Sequence, residues 1–209
     1  MPMHFHYYEP KNGHGLAHDP MNAIVGPRVI GWIGTYNANG ALNLAPYSFF
    51  NLFNYQPPII GFASLGLKDS VRNILETGEF SWNLATKPLA KQMNLSSIEA
   101  PVEEFNYANL TPTTGKQTQA PRVAESPVSF ECRLTQHLRL KDHQGKAINT
   151  YFVFGEVLAV YIHKKLLKNG IYQTALAKPI LRAGGRDIYF NIHNAHTFKM
   201  PRPTLSPTK

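Results

Sequence analysis

The stretch VIGWIGTYNANGALNLAPYSFF, residues 29–50, decides the fold. Its first part, VIGWIGTY (29–36), is rich in β-branched and aromatic residues, which suit a pleated, half-buried strand. NANG (37–40) follows, and Asn39-Gly40 between two such runs is a strong hairpin signal, because glycine supplies the positive φ of the turn. The return run, ALNLAPYSFF (41–50), has the same character but carries Pro46. Proline removes a ladder donor and belongs at edges or bulges. A bulged strand here exposes Ser48 and presents backbone groups to a planar ligand.

Outward from this hairpin the chain keeps producing strands. IIGFAS (59–64) is a short apolar run suited to a buried strand, and EFSWNLA (79–85) alternates. VSFECRLTQHLRL (128–140) and TYFVFGEVLAVYIH (150–163) flank DHQG (142–145), a turn composition. Helical periodicity is confined to two short pieces, residues 70–77 and 88–95. Residues 99–126, rich in Pro, Thr, Gln and Asn, read as a long excursion over the surface. From Lys178 onward come irregular turns around Gly184-Gly185 and the short run DIYFNI. The expectation is a mainly β fold, an antiparallel closed or partly closed barrel with short inserted helices. One domain over 1–209 is expected, with an N-terminal arm at 1–20 and a C-terminal tail at 191–209. Strands do not alternate with long helices, and neither GxGxxG nor GxxxxGK[ST] occurs, which excludes the common dinucleotide and P-loop signatures.

Composition narrows the class. Hydrophobic residues make up 43%, which argues against disorder. No stretch approaches the roughly 20 apolar residues of a membrane span, and the N-terminus lacks the basic and apolar regions of a signal peptide. A lone cysteine, Cys132, rules out an internal disulfide and points to the cytoplasm; in its β-patterned run it reads as a small core residue. The net charge of +8 is uneven: basic residues crowd the span from Arg133 to Arg186, opposed there only by Asp142 and Glu156. Such a field attracts anions, either nucleotide or nucleic acid. Nucleic acid is the weaker reading, because the basic residues lack the regular aromatic interleaving of single-strand binders.

The stretch GLKDSVRNILETGEF (66–80) supplies a candidate seat for an anion. Val71, Ile74 and Leu75 form one helical stripe, Asp69 or Ser70 is a suitable N-cap, and Gly78 is a suitable stop. Lys68-Asp69-Ser70 is open to two readings. One is a helix start and nothing more. The other is a phosphate cradle of unpaired first-turn N–H groups, helix dipole, Lys68, Arg72 and the Ser70 hydroxyl, at the end of the 59–64 strand. A carboxylate beside a phosphate is repulsive, so the Asp69 side chain is assigned to capping.

Taken together these pieces resemble the flavin reductase-like family of FMN-binding split-barrel proteins. HGLAHDP (14–20), PRVIGWIGT (27–35), NLAPYSFFN (43–51), QPPIIGFAS (56–64), KDSVRNILETGEFSWNLA (68–85) and RVAESPVSFECRL (122–134) carry the likeness. GEVLAVYIH (155–163), KPILRAGG (178–185), Tyr189 and MPRP (200–203) complete it over nearly the whole chain. The chain departs from the family in having Val29 in place of a common proline and Ser70 in place of a common threonine.

The resemblance implies a homodimer with FMN close to the subunit interface. It places the FMN phosphate on Ser48, Lys68 and Ser70, in the motif that also holds Asp69. It lays the ring and ribityl chain along Pro46, Tyr47, Ser48 and Phe49 and along Gly61–Ser64, Ala63 and Ser64 foremost, with Asn83 approaching the cofactor. The implied activity is NAD(P)H:flavin reductase-type hydride or electron transfer; the alternative is an FMN-binding electron carrier of the flavoredoxin kind, or a sensor. Arg28 is the candidate cation beside the flavin N1 and O2, with a structural arginine the competing reading. His163 is a candidate for the substrate side. His14 and His18, four apart, have metal-ligand spacing, but two glycines and a proline make a poor helix there and no metal site is expected. Arg182 either closes on substrate or braces the C-terminal turns.

Overall fold

The computed structural model describes residues 4–203. Its strands in chain order are β1 (Arg28–Val29), β2 (Gly31–Tyr36), β3 (Leu42–Tyr47), β4 (Phe50–Tyr55), β5 (Pro58–Leu65), β6 (Glu79–Asn83), β7 (Pro112–Thr113), β8 (Arg122–Val123), β9 (Val128–Lys141), β10 (Ala147–Ile162), β11 (Leu167–Lys168), β12 (Ile171–Tyr172), β13 (Ile180–Arg182) and β14 (Tyr189–Asn191). The α-helices are short: α1 (Met21–Ile24), α2 (Asp69–Thr77), α3 (Ala90–Leu95) and α4 (Glu104–Tyr107).

Seven strands form one antiparallel sheet in the order β3-β2-β6-β9-β10-β5-β4. The two strands at its ends, β3 and β4, are consecutive in the chain and only Ser48 and Phe49 separate them. The sheet therefore closes on itself through one bent strand, and the Ala63 N–H donates to the Phe49 carbonyl (2.8 Å) at the bend. This is the expected split barrel. The sequence run 41–50 is not one strand, as read from its pattern, but two strands meeting at that corner. Pro46 sits where the missing donor is tolerated, because among the described residues β3 has a single ladder partner, β2. The long β9–β10 pair bends with register shifts near Gly155 and Ala159, as a curved sheet requires.

The expected hairpin at 37–40 is present, with the Asn37 N–H donating to Ala41 O at 3.0 Å. Two apolar cores lie on opposite faces of β2. Ile33 faces the barrel interior with Phe62, Phe80, Trp82 and Val153, and α2 adds Val71 and Ile74 to that core. Trp32 faces the other way, with Leu44, Met93, Phe105 and Ile180. Cys132 is buried in the barrel core, where burial pushes its thiol up.

The 99–126 segment, expected to run over the surface, does more than that. It carries α4 and the β7–β8 pair, and it plants Phe105, Ala108, Leu110 and Val123 in the second core. Burial of Phe105 alone contributes roughly 1.5–3 kcal/mol. A carboxylate ties the segment down. Glu131 on β9 is fully buried and accepts from the N–H groups of Lys116 (2.9 Å), Gln117 (2.7 Å) and Thr118 (2.6 Å) and from the Tyr161 hydroxyl (2.6 Å). Successive N–H groups turned inward make a concavity suited to an anion, here filled by the chain's own side chain. Gly115 is obligatory, since a Cβ there would lie 2.0 Å from the Glu131 carboxyl carbon.

Burial by itself would raise the Glu131 pKa. The Tyr161 hydroxyl and the three N–H groups outweigh it and hold the group at about 2, against an ordinary 4.5. A depressed carboxylate pKa stabilises the fold above the unfolded-state value, and that contribution is lost as the pH falls from about 4.5 through about 2. We expect Glu131→Gln to cost about 2–4 kcal/mol near neutral pH, because it removes the charge from several charge-assisted hydrogen bonds. Urea midpoints of the two proteins should converge as the pH is lowered through that window; a gap independent of pH would contradict the assignment.

Candidate functional site

The N-terminus of α2 is built differently from the sequence expectation. Neither Asp69 nor Ser70 caps the helix: Lys68 occupies the N-cap position, and no side chain supplies a cap. Asp69 lies in the first turn, where its carboxylate accepts from the Arg72 guanidinium one turn on. Arg72 also donates to the Leu67 carbonyl. These two charges thus satisfy each other, which an i, i+3 pair on a helix favours over capping. The first-turn N–H groups of Asp69, Ser70 and Val71 have no acceptor among the described residues. Gly78, at φ +75°, ends the helix as expected.

A cavity of about 650 Å³ opens between β3, this helix start and residues 96–104. Asn43, on its polar wall, donates to the hydroxyls of Thr35 (3.0 Å) and Ser70 (2.9 Å). Ser70 is thereby fixed as an acceptor toward Asn43, and its own proton goes to no described residue. Tyr47, on the same wall, has a buried hydroxyl with no hydrogen-bond partner among the described residues. Burial pushes that phenol up; the nearby Ser70 and Ser64 hydroxyls and Lys68 pull the other way, yet neither hydroxyl closes a bond of ordinary geometry. Unused N–H groups, two hydroxyls and a lysine are the donor set a tetrahedral anion needs.

Acidic groups also reach this cavity. The Lys68 ammonium is paired with Glu99 at 2.7 Å, and the exposed Glu99 carboxyl is held below its usual range by that lysine. Glu104 is half-buried, accepts from the Leu44 N–H (3.2 Å) and is pushed up by burial.

A second cavity, about 590 Å³, adjoins the first and shares Pro46 and Ser97 with it. Ser48, Asn94, Arg182, Arg186 and Tyr189 line it. The two form one cleft that follows β3 from the helix start to the strand corner.

Of the residues singled out in the sequence, Pro46, Tyr47, Ser48, Lys68, Asp69, Ser70, Arg72, Arg182 and Tyr189 line this cleft. The remaining candidates lie outside it. Asn83 is fully buried and spent on structure, donating to the Trp32 carbonyl (3.2 Å) and accepting from the Val123 N–H (2.8 Å). Ser64 donates to Gly66 O (2.8 Å), and Ala63 is tied to Phe49 through its N–H. Phe49 is exposed beneath the Arg28 guanidinium. Arg28 donates to the carbonyls of Asn22, Val25 (3.0 Å) and Ser48 (3.2 Å), a brace between α1 and the corner. His163 accepts from the Lys165 N–H, a local cap. The His14 ring accepts from the Leu16 N–H, and no group able to hold a metal occurs among the described residues. Trp32 and Trp82 are core, their indoles donating to Ser96 and Ile30.

Sequence reading missed Glu99, Ser97 and Arg186. The first two lie in or beside the excursion, where no periodic pattern marks which residues turn inward. Arg186 was counted only in the basic run, although Gly184-Gly185 just before it signalled a turn.

Comparison with known proteins gives a consistent result. A sequence profile of the flavin reductase like domain matches residues 26–179. An uncharacterized protein of Aquifex aeolicus is 36% identical over 171 residues, 78% of this chain and 84% of that one. The structure of 2-nitrobenzoate 2-nitroreductase from Pseudomonas fluorescens superposes with a TM-score of 0.77 at 27% identity, covering 90% of this chain and 91% of that one. Nitrilotriacetate monooxygenase component B from Bacillus cereus has the same fold, with a TM-score of 0.80 at 24% identity over 96% of this chain and 98% of that one.

The unpartnered Tyr47 hydroxyl has a direct consequence. A buried polar group without a bond contributes nothing and costs its desolvation. Tyr47→Phe should therefore leave the unfolding free energy of the ligand-free protein unchanged or raise it, by up to about 1–3 kcal/mol. A clear loss of stability in chemical denaturation would show that the hydroxyl is bonded after all.

Proposed function

Because this chain belongs to the flavin reductase-like domain family, we propose that it is an FMN-dependent oxidoreductase, reduced most simply by NADH or NADPH. The observation that carries the reading is the set of uncommitted donors at the start of α2, between Lys68, Ser70 and Tyr47. FMN would supply the hydride and electron chemistry; the protein supplies placement and electrostatics. Lys68 and the Ser70 hydroxyl hold the phosphate, and the free N–H groups of the first turn add their donors. Pro46, Tyr47 and Ser48 form the floor of the cleft along which the rest of the cofactor lies. The bend at Ser48–Phe49 frees backbone groups that a regular strand would spend on its ladder.

Glu99 has a defined part in this reading. Its carboxylate occupies Lys68, so the phosphate displaces one anion with another. The net gain from Lys68 is correspondingly reduced.

The proposal includes a second copy of the chain. Leu52, Phe53 and Tyr55 on β4 are 51%, 52% and 85% exposed. Phe53 packs edge-on against Phe152 and Phe154 at 5.4 and 5.3 Å between ring centres, so a continuous aromatic surface faces outward. Tyr55 also lines an apolar cavity of about 760 Å³ with Val160 and Ile162. An apolar surface of this kind is covered in a stable protein, and the strand that carries it starts at the cleft.

The purified protein is expected to bind FMN, and anaerobic NADH or NADPH should bleach the bound flavin. An electron carrier would bind FMN without that bleaching. Lys68→Ala combined with Ser70→Ala should weaken FMN binding roughly tenfold or more while leaving riboflavin, which lacks the phosphate, unaffected. Glu99→Gln should shift FMN affinity the opposite way. Equal effects on FMN and riboflavin would place the phosphate elsewhere. Phe53→Glu should give a monomer by light scattering; a dimer that survives it would move the interface off β4.

A further inference from the structure

We propose that the second cavity is a subsite for the anionic end of a small redox partner, gripped by Arg186 with the support of Arg182 and Tyr189. The inference rests on the flavoprotein reading above, because it needs a reacting cofactor in the adjoining cavity.

Three strands set the geometry. β1, β13 and β14 form a small antiparallel sheet in which Arg28 lies directly opposite Arg182, and Arg182 directly opposite Tyr189. Residues facing each other across strands share one face of the sheet, so these three form a single row. Two like charges in such a pair are unfavourable. Arg28 registers this: burial first, and then Arg182, hold its pKa below the ordinary value. Among the described residues neither arginine has a carboxylate partner. Both groups spend donors on backbone carbonyls, which carry no formal charge, so the row keeps its positive charge beside the cavity.

The row also explains how Arg186 is positioned. Arg182 lies over the Tyr189 ring (4.8 Å) and donates to the carbonyls of Ile188 (3.1 Å) and Arg186 (2.5 Å). It spends its donors on pinning the 183–188 turn, which answers the choice left by the sequence in favour of bracing. The turn then carries Arg186 to the cavity wall, where its guanidinium enters no hydrogen bond or ion pair with a described residue. Asp187 lines the same cavity but pairs with neither arginine, so the wall stays net positive.

Position adds the functional sense. The cavity's other wall includes Ser48, at the strand corner, and Pro46, the floor it shares with the cofactor cavity. An anion held by Arg186 leaves the rest of its molecule beside the residues along which the flavin would lie. A volume of about 590 Å³ accommodates a small organic molecule or part of a nucleotide. The shared chemistry is a phosphate or carboxylate received by a guanidinium, a charge-assisted and often bidentate contact. The partner's phosphate would belong to a nicotinamide nucleotide that donates electrons; its carboxylate would belong to an organic acid that accepts them.

The test compares wild type with Arg186→Glu. Calorimetric titration of the FMN-free protein at low salt, with Lys68 and Ser70 both replaced by alanine to remove the phosphate seat of the first cavity, should show inorganic pyrophosphate or benzoate binding, roughly tenfold or more weakly once Arg186→Glu is added. In the otherwise unaltered protein Arg186→Glu should leave FMN affinity within about twofold. In the FMN-loaded protein, NADH is compared with the uncharged donor 1-benzyl-1,4-dihydronicotinamide, and 4-nitrobenzoate with nitrobenzene. Only the charged member of one pair should lose half-saturation by a comparable factor, and that pair identifies the source of the anion. Equal losses for charged and uncharged members, or no change in binding of either probe, would overturn the proposal. Failure to bind FMN with intact pyrophosphate or benzoate binding would instead overturn the cofactor reading.

Discussion

The structure depends on one strand serving two neighbours. From Leu42 the chain pairs with β2, and from Phe50 it pairs with β5; Ser48 and Phe49 make the transfer. That single bend converts a seven-strand sheet into a barrel. It also fixes the cleft, because backbone at a strand corner lacks ladder partners while both flanks are held rigid. Arg28 secures the bend from outside by donating to the Ser48 carbonyl, so the N-terminal segment and the C-terminal strands β13 and β14 are built around the same point.

Much of this was legible. The 29–50 run announced a hairpin, and Pro46 marked a place where the ladder is incomplete. The run of strands without long intervening helices indicated a barrel. The corner itself was harder to see, because Ser-Phe-Phe has no turn chemistry: the bend is imposed by closure, a long-range constraint with no local signature. Asp69 failed as a cap for a comparable reason. Capping and pairing with Arg72 compete for the same carboxylate, and the geometry of the turn decides between them.

The candidate site was legible where the chain is regular and opaque where it is not. Lys68 and Ser70 sit at a helix start that periodicity locates. Glu99 comes from a segment whose path follows from Phe105 in a remote core and from Glu131 beneath residues 116–118. Asn83, which the family resemblance brings near the cofactor, joins β6 to β2 and to Val123, the role buried amides most often have.

Glu131 separates two tasks that loops usually combine. The excursion that walls the cleft is anchored by a carboxylate from β9 and by apolar residues that line neither polar cavity. Residues 97–101 can therefore be exchanged without disturbing that anchorage. Over evolutionary time, or in directed evolution, such an arrangement lets ligand preference drift while thermal robustness holds: the barrel and its tether act as chassis, and the wall as the interchangeable part.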